Sequence, residues 1–285
     1  MKLVFIADVF AHQLIGGGEL NNKEFIDICI ANNHDVAMVN SHLVTLEYLR
    51  GNKSSNFVIG NFINLNEPCK EYIIENTKYI IYEHDHKYLR NRNPARYKNF
   101  KAPEEEVVNF DFYKNAAAVL CQSLFHRNIV RDNLNTDNVV SLGGNLWPLK
   151  SLERMAELSE GEKIDRCSIL DSSIEHKNTQ GAIQYAEKSN LEYELISHNE
   201  YGKFLEILGR NKKLIFLPKT PETLSRIVVE AKMMNCSVIT NRLVGAASEP
   251  WFELKGAELI DCMISKREEI SNIVFEKFQE GPRAF

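Results

Sequence analysis

Two carboxylates, Glu222 and Glu230, stand eight positions apart with Thr-Leu-Ser-Arg-Ile-Val-Val between them. The run Leu214-Ile-Phe-Leu217 before them reads as a buried parallel strand, and Thr223 to Asn235 reads as the helix that follows. Glu222 then sits at the strand-to-helix corner, beside backbone N–H groups that no helical carbonyl accepts. Eight residues at 3.6 per turn is close to a whole number of turns, so Glu230 falls on nearly the same face about two turns on. A helix N-terminus favours a phosphate, and acceptor carboxylates beside it suit sugar hydroxyls. That pattern points to a nucleotide-sugar site. Taken alone, the same pair also fits an N-terminal helix acid and a solvated helix face.

These residues need a scaffold, and the sequence supplies one. Short apolar runs at Leu3–Ala7, Val36–Asn40, Phe57–Ile59, Tyr79–Tyr82, Ala118–Cys121 and Val139–Leu142 alternate with longer amphipathic stretches. A second series follows at Cys167–Leu170, Glu192–Ile196, Leu214–Leu217 and Ser237–Thr240. Alternation of this kind predicts an α/β chain with two doubly wound parallel sheets. Gly143-Gly-Asn-Leu-Trp-Pro148 is the natural break between them. The expected division is 1–147, 148–264 and a closing segment 265–285, in which Ile270, Ile273, Val274 and Phe278 recur at helical spacing. At 285 residues the chain suits two domains.

Composition excludes several classes. No run of apolar residues is long enough for a transmembrane helix. Met1-Lys-Leu-Val-Phe-Ile-Ala-Asp8 runs straight into a Gly-rich loop and reads as a first strand, not a signal peptide. Six scattered cysteines with no C-x-x-C pair suggest buried, reduced thiols in a cytoplasmic protein. The net charge of −5 argues against indiscriminate polyanion binding, though not against a local basic patch.

The segment from Glu222 to Glu230 resembles the E-x7-E motif of retaining GT-B glycosyltransferases of the family-4 type. The likeness continues through Glu230-Ala-Lys-Met-Met-Asn-Cys-Ser-Val-Ile-Thr-Asn-Arg-Leu-Val-Gly245. It implies that Glu222 contacts the donor sugar and Glu230 holds the ribose. The backbone around Thr223, Leu224 and Ser225 would cap the pyrophosphate. Ile15-Gly-Gly-Gly-Glu19 resembles the family's Gly-Gly-x-Glu loop, which makes Gly17 and Gly18 donor-binding candidates; it is not a G-x-G-x-x-G fingerprint. Lys177 resembles the lysine of the family's G-R-x-x-x-x-K-G segment, whose cations neutralise the leaving pyrophosphate. The chain departs there: Ser172 stands at the arginine position and Asn178 at the glycine. Neutralisation is then expected to rest on Lys177 alone or to recruit Arg226.

Glu83-His84-Asp85-His86 ends the Tyr79–Tyr82 strand. Two histidines and two acids together could suggest a metal, but none is expected here. The resemblance instead places His84, or secondarily Asp85, near the transferred sugar. Ala118-Val-Leu-Cys-Gln-Ser123 and Val139-Val-Ser-Leu-Gly-Gly-Asn145 resemble the family's strand-end and interdomain segments. The most basic stretch runs from His86 to Lys101 and carries Arg90, Arg92, Arg96, Tyr97 and Lys98. It fits a solvated loop, or an anionic acceptor with phosphates on Lys and Arg and a base stacked on Tyr88 or Tyr97.

The likeness spans the chain from the first strand to Gly245 and implies two Rossmann-like domains facing a cleft, with the last helix crossing back. It implies a UDP-sugar donor, no metal and no other cofactor. It also implies front-face attack assisted by the leaving phosphate. The chain is short for the family and looks like the minimal enzymes that phages encode, which would place it in the host cytoplasm. Candidate acceptors are DNA with a hydroxymethylated base, which must be flipped out to be reached, and a glycan or lipid of envelope synthesis. A GT-B epimerase and a non-catalytic nucleotide-sugar sensor are the other classes.

Overall fold

The computed structural model describes residues 1–279, so positions 280–285 of the closing segment lie outside the described residues. The chain alternates strand and helix from end to end. The first series is β1 Lys2–Ala7, α1 Gly17–Ala31, β2 Asp35–Asn40, α2 Leu46–Gly51, β3 Asn56–Ile59, α3 Glu67–Asn76 and β4 Lys78–Tyr82. It continues with α4 Phe110–Lys114, β5 Ala118–Cys121, α5 Leu124–Leu134 and β6 Val139–Ser141. The second is α6 Leu149–Ser159, β7 Ile164–Leu170, α7 Thr179–Lys188, β8 Tyr193–Ile196 and α8 Tyr201–Gly209. It closes with β9 Asn211–Phe216, α9 Arg226–Met233, β10 Ser237–Thr240 and α10 Gly256–Gln279.

The chain divides into two compact units. One is Met1–Leu146 with the described residues from Arg267 on; the other is Trp147–Lys266. α10 is therefore shared: its first half belongs to the second unit and its second half to the first. The helical spacing of Ile270, Ile273, Val274 and Phe278 belongs to the last part of this longer helix.

In the first unit, six parallel strands pair in the order β2-β1-β3-β4-β5-β6. Both faces are covered, so the strands are apolar on both sides, as parallel sheets require. Val4, Ile6, Phe57, Ile59, Tyr79 and Ile81 pack on one face. Leu3, Phe5, Val58, Ile80 and Leu120 pack on the other, where Ile270, Val274 and Phe278 of α10 join them. Helix starts follow local chemistry: the side chains of Thr45, Asn66 and Ser123 accept from Tyr48, Cys69 and His126 N–H and cap α2, α3 and α5.

The second unit has four parallel strands in the order β10-β9-β7-β8. Leu214 and Phe216 point into the larger core with Val228, Val229, Leu259 and Met263, while Cys167, Ile169 and Ile215 face α7. All six cysteines are free thiols and all but Cys262 are buried. Burial pushes the Cys29 thiol up to about 12 and Cys236 up to about 11, so both are uncharged at neutral pH. No described helix is long and apolar enough to cross a membrane.

Candidate functional site

In the second unit β8 is added on one side of β7, and β9 and β10 on the other. The connections that leave the C-terminal ends of β7 and β9 therefore lead to opposite edges of the sheet, and such a strand-order reversal is where open α/β sheets form a ligand crevice. Lys177 is on the first of these loops and Glu222 on the second. Lys177 Nζ donates to both carboxylate oxygens of Glu222, at 2.8 and 3.0 Å. Residues 45 positions apart in sequence thus form one bidentate ion pair, partly open to water.

The loop under Lys177 is fixed by its own polar side chains. Thr179 Oγ1 donates to the Leu170 carbonyl at 2.7 Å and accepts from Ser172 N–H at 3.2 Å; Ser172 Oγ accepts from Ile174 N–H at 3.2 Å. Ser172 is thus used in holding the turn. Asn178 adopts the left-handed conformation (φ 59°, ψ 43°) that its short amide tolerates, and its Nδ2 donates to the Leu217 carbonyl at 2.7 Å. Lys219 N–H donates to the His176 carbonyl at 2.8 Å, so the two loops are stitched together.

The helix after β9 begins later than the spacing predicts. α9 starts at Arg226, not Thr223, and ends at Met233. Glu222 is instead extended and bridged in parallel to Val244: its N–H donates to the Leu243 carbonyl at 2.7 Å, and its carbonyl accepts from Gly245 N–H at 3.0 Å. The shared helical face inferred from eight-residue spacing therefore does not exist. Leu224 is fully buried in the core, so only its backbone is placed to meet a ligand. Ser225, at φ 78° and ψ 84°, precedes the first turn of α9, and its buried Oγ has no hydrogen-bond partner among the described residues.

Glu230 lies in the second turn of α9 and is 2% exposed. Its Oε1 accepts from Trp147 Nε1 at 2.9 Å and from Tyr201 OH at 2.7 Å, with Arg226 Nε at 3.3 Å. The Arg226 guanidinium also lies over the Trp147 ring, 4.4 Å from its centroid. Arg226 thus lies in the cluster around Glu230 and Trp147, with its guanidinium buried there. Burial, then the Glu230 charge, push the Tyr201 phenol upwards, so it is a donor throughout the physiological range. Trp147 and Tyr201 were not legible as site residues, because 83 and 29 positions separate them from Glu230.

In the first unit the corresponding reversal lies between β1 and β3. The Gly-rich loop follows β1, and α1 starts at Gly17. A Cβ on Gly18 would lie 3.3 Å from both Cβ and Cγ of His84, so the glycine permits this close approach. Gly18 and His84 are brought together here. Burial raises the Glu19 carboxyl, opposed by its own backbone N–H, Lys87 and Asn61. His84 stacks on Tyr82 with ring centroids 4.8 Å apart. Its Nδ1 lies 2.6 Å from Gln122 Nε2, and its Nε2 meets Asn22 Oδ1.

The next residues turn inward. Glu83 is fully buried, and its carboxylate takes Lys87 Nζ, Tyr113 OH and, at 2.8 Å, Asp85 N–H. His86 faces Tyr88 and His126: Nδ1 lies 2.9 Å from Tyr88 OH. Burial works to raise the Asp85 carboxyl, but Lys87, His86 and Arg92 hold it below its ordinary value. Arg92 Nη1 bonds Asp85 Oδ2 at 3.1 Å.

The basic stretch is thus less basic at its surface than in sequence. Lys87 is paired internally, and Tyr88 is fully buried and unable to stack on a base. Tyr97 is half-buried, and its OH accepts from Asn91 Nδ2 at 2.6 Å. Arg90 reaches the Glu105 carbonyl at 3.4 Å and lies 4.0 Å from Glu106. Arg96, Lys98 and Lys101 remain exposed. Among the described residues no cluster of three or more His, Cys, Asp or Glu is placed to hold a metal.

No protein family and no curated protein matches the sequence. Solved structures do match in shape. HepE of Anabaena, in complex with UDP and glucose, superposes with a TM-score of 0.55 at 11% identity, over 97% of this chain and 93% of that one. A trehalose-6-phosphate synthase, OtsA, gives 0.61 at 9% identity over 99% and 100%. A sucrose-phosphate synthase from Thermosynechococcus elongatus gives 0.64 at 9% over 98% and 100%. The fold is GT-B. At these identities the likeness speaks for the GT-B architecture of two Rossmann-like units alone.

Proposed function

We propose that this protein is a retaining glycosyltransferase that moves a sugar from a UDP-sugar to an acceptor hydroxyl. The observation that carries this reading is the Lys177–Glu222 pair at the strand-order reversal of the second sheet. An arriving diphosphate competes for Lys177, which frees the Glu222 carboxylate to accept from sugar hydroxyls. As the bond from the sugar carbon to the diphosphate breaks, negative charge grows on the departing oxygen, and a fixed ammonium stabilises it. Ser225 Oγ and the first N–H groups of α9 add donors. Glu230, whose Oε1 is already occupied, is assigned to the ribose, as the resemblance implies. HepE, in complexes with UDP and with UDP-glucose, supports the donor class.

No carboxylate is assigned as a nucleophile. The acceptor oxygen attacks on the face the diphosphate leaves, and the acceptor proton passes to the leaving phosphate oxygen. Lys177 supplies the positive charge for this step, and no metal or other cofactor is required. Gly17 and Gly18 are assigned to the donor phosphate and sugar, and His84 to the transferred sugar, as the resemblance implies.

Two acceptor classes are carried forward. For DNA with a hydroxymethylated base, the exposed Arg96, Lys98 and Lys101, with Arg90, supply backbone contacts. For a glycan or lipid, support comes from the internal pairing of Lys87, the burial of Tyr88 and the acidic run Glu104–Glu106 beside the stretch. The test is release of nucleoside diphosphate from a panel of nucleotide sugars, with and without hydroxymethylcytosine DNA. Release that rises with the DNA, with a mass gain on it, establishes the DNA acceptor. Donor-specific release indifferent to DNA moves the acceptor to glycans and lipids. No release from any donor, with donor bound, makes the protein a sensor; a changed sugar on intact nucleotide makes it an epimerase.

A further inference from the structure

Gln122 follows the last residue of β5 and is 4% exposed. Its Nε2 lies 2.6 Å from His84 Nδ1 and 3.4 Å from the Glu83 carbonyl oxygen. A carbonyl oxygen only accepts, so the nitrogen of the amide is the atom that belongs on this side. The opposite orientation would set Oε1 against the Glu83 carbonyl oxygen in a buried place, where two acceptors repel. An amide N–H aimed at Nδ1 requires a lone pair there. The ring proton then stands on Nε2, where Asn22 Oδ1 accepts it. The ring is held in this sense: Tyr82 stacks on it at an interplanar angle of 16°, and Gly18 abuts its Cβ and Cγ.

We propose that Gln122 is a positioning residue that holds His84 as the neutral Nε2–H tautomer, so that His84 acts as a hydrogen-bond donor and not as the base for the acceptor. An imidazolium would carry an N–H on Nδ1, directly against the Gln122 N–H. A substrate hydroxyl reaching His84 takes the place of Asn22 Oδ1 and receives the Nε2 proton as a hydrogen bond. The acceptor proton must therefore leave by another route. The functional half of this inference rests on the glycosyltransferase reading; the tautomer does not.

The experiment is long-range ¹H–¹⁵N correlation of the histidine rings in the full chain at neutral pH, with His84 assigned by comparison with His84→Gln. The expected wild-type pattern has Nε2 protonated and Nδ1 bare. Gln122→Glu replaces the donor by an acceptor, and Nδ1 should then gain a proton. Gln122→Met removes the donor at similar size and should mix the two tautomers. It also decides the matter with the wild type if Gln122→Glu does not fold. A wild-type His84 protonated on Nδ1 overturns the proposal, and so does a His84 pattern that neither variant changes. Sugar transfer on the same samples separates the two readings. Gln122→Glu is expected to lower kcat about tenfold with the donor KM retained, the scale of one misdirected catalytic hydrogen bond. Unchanged kcat removes the catalytic half of the proposal, whereas absence of transfer in the wild type removes the glycosyltransferase reading and leaves the tautomer lock standing.

Discussion

The turn that carries His84 and the loops that carry Lys177 and Glu222 both hold an ion pair, but in opposite surroundings. Glu83 and Lys87 are shut away from water, with Tyr113 and the Asp85 N–H completing the carboxylate's shell. Lys177 and Glu222 keep 25% and 13% of their side-chain surface exposed and have no comparable enclosure. A buried pair cannot exchange partners without stranding a charge, so it fixes geometry. A pair at the rim can exchange one partner for a ligand at modest cost. The first region reads as a frame and the second as the working part.

The largest effect should come from breaking the frame. Lys87→Met leaves Glu83 buried and unpaired and should cost about 3–5 kcal/mol in urea unfolding. Adding Glu83→Gln should recover much of that. Lys177→Met should cost less than about 1 kcal/mol in the same assay. Equal costs for the two lysines would erase the contrast. Turnover should show the reverse ranking of importance. Glu222→Gln and Lys177→Ala should each lower the rate of sugar transfer by about 10²–10³-fold while the proteins stay folded. Near-normal turnover in both variants would remove the site assignment.

Acid should act on the frame as well. Burial, then His126 nearby, lower His86 to about 3; burial, against the Asp85 carbonyl contact, lowers His126 to about 3. Their unfolded value is about 6.5. The unfolded chain therefore binds protons that the folded chain refuses as pH falls from about 6.5 to about 3. Each histidine should remove up to about 1.4 kcal/mol of stability per pH unit across that window, and nothing above it. Denaturation midpoints for wild type and His126→Gln check this: the variant should show a shallower acid slope, and identical slopes would count against it. The smallest expected effect is none at all. Because Lys177 is assigned the cation's task, EDTA should leave turnover unchanged, and metal-dependent transfer would move that task elsewhere.

The ten strands were legible because strands of a parallel sheet are short, largely apolar runs set between longer amphipathic stretches. The start of α9 was not. Thr223 and Leu224 read as a first helical turn, yet Glu222 pairs with Leu243 and Gly245, and the Leu224 carbonyl accepts from Ala246 N–H. Tertiary pairing overrode local propensity there. The reach from Lys177 to Glu222 followed only from the family resemblance. The burial of Lys87 within the basic stretch was not legible, because it depends on Glu83, and burial of a charge is decided by what surrounds both members. Gln122 lay within a segment matched for its strand-end likeness, but its role depends on His84, which no spacing links to it.

One habit of the chain has a consequence for its unfolded state. Asn33, Asn99, Asn109, Asn135, Asn178, Asn190 and Asn235 all hold left-handed backbone, a task usually left to glycine. Asparagine wanders less than glycine when the chain is loose, so each such bend forfeits less disorder on folding, by up to about 1 kcal/mol on the scale seen when glycine gives way to a residue with a side chain. Asparagine also brings an amide. Asn178 reaches across to Leu217, and Asn109 both donates to the Lys87 carbonyl and accepts from Lys70. The corners of this chain are also its rivets, and a glycine series at these positions would trace the same path with the fastenings gone.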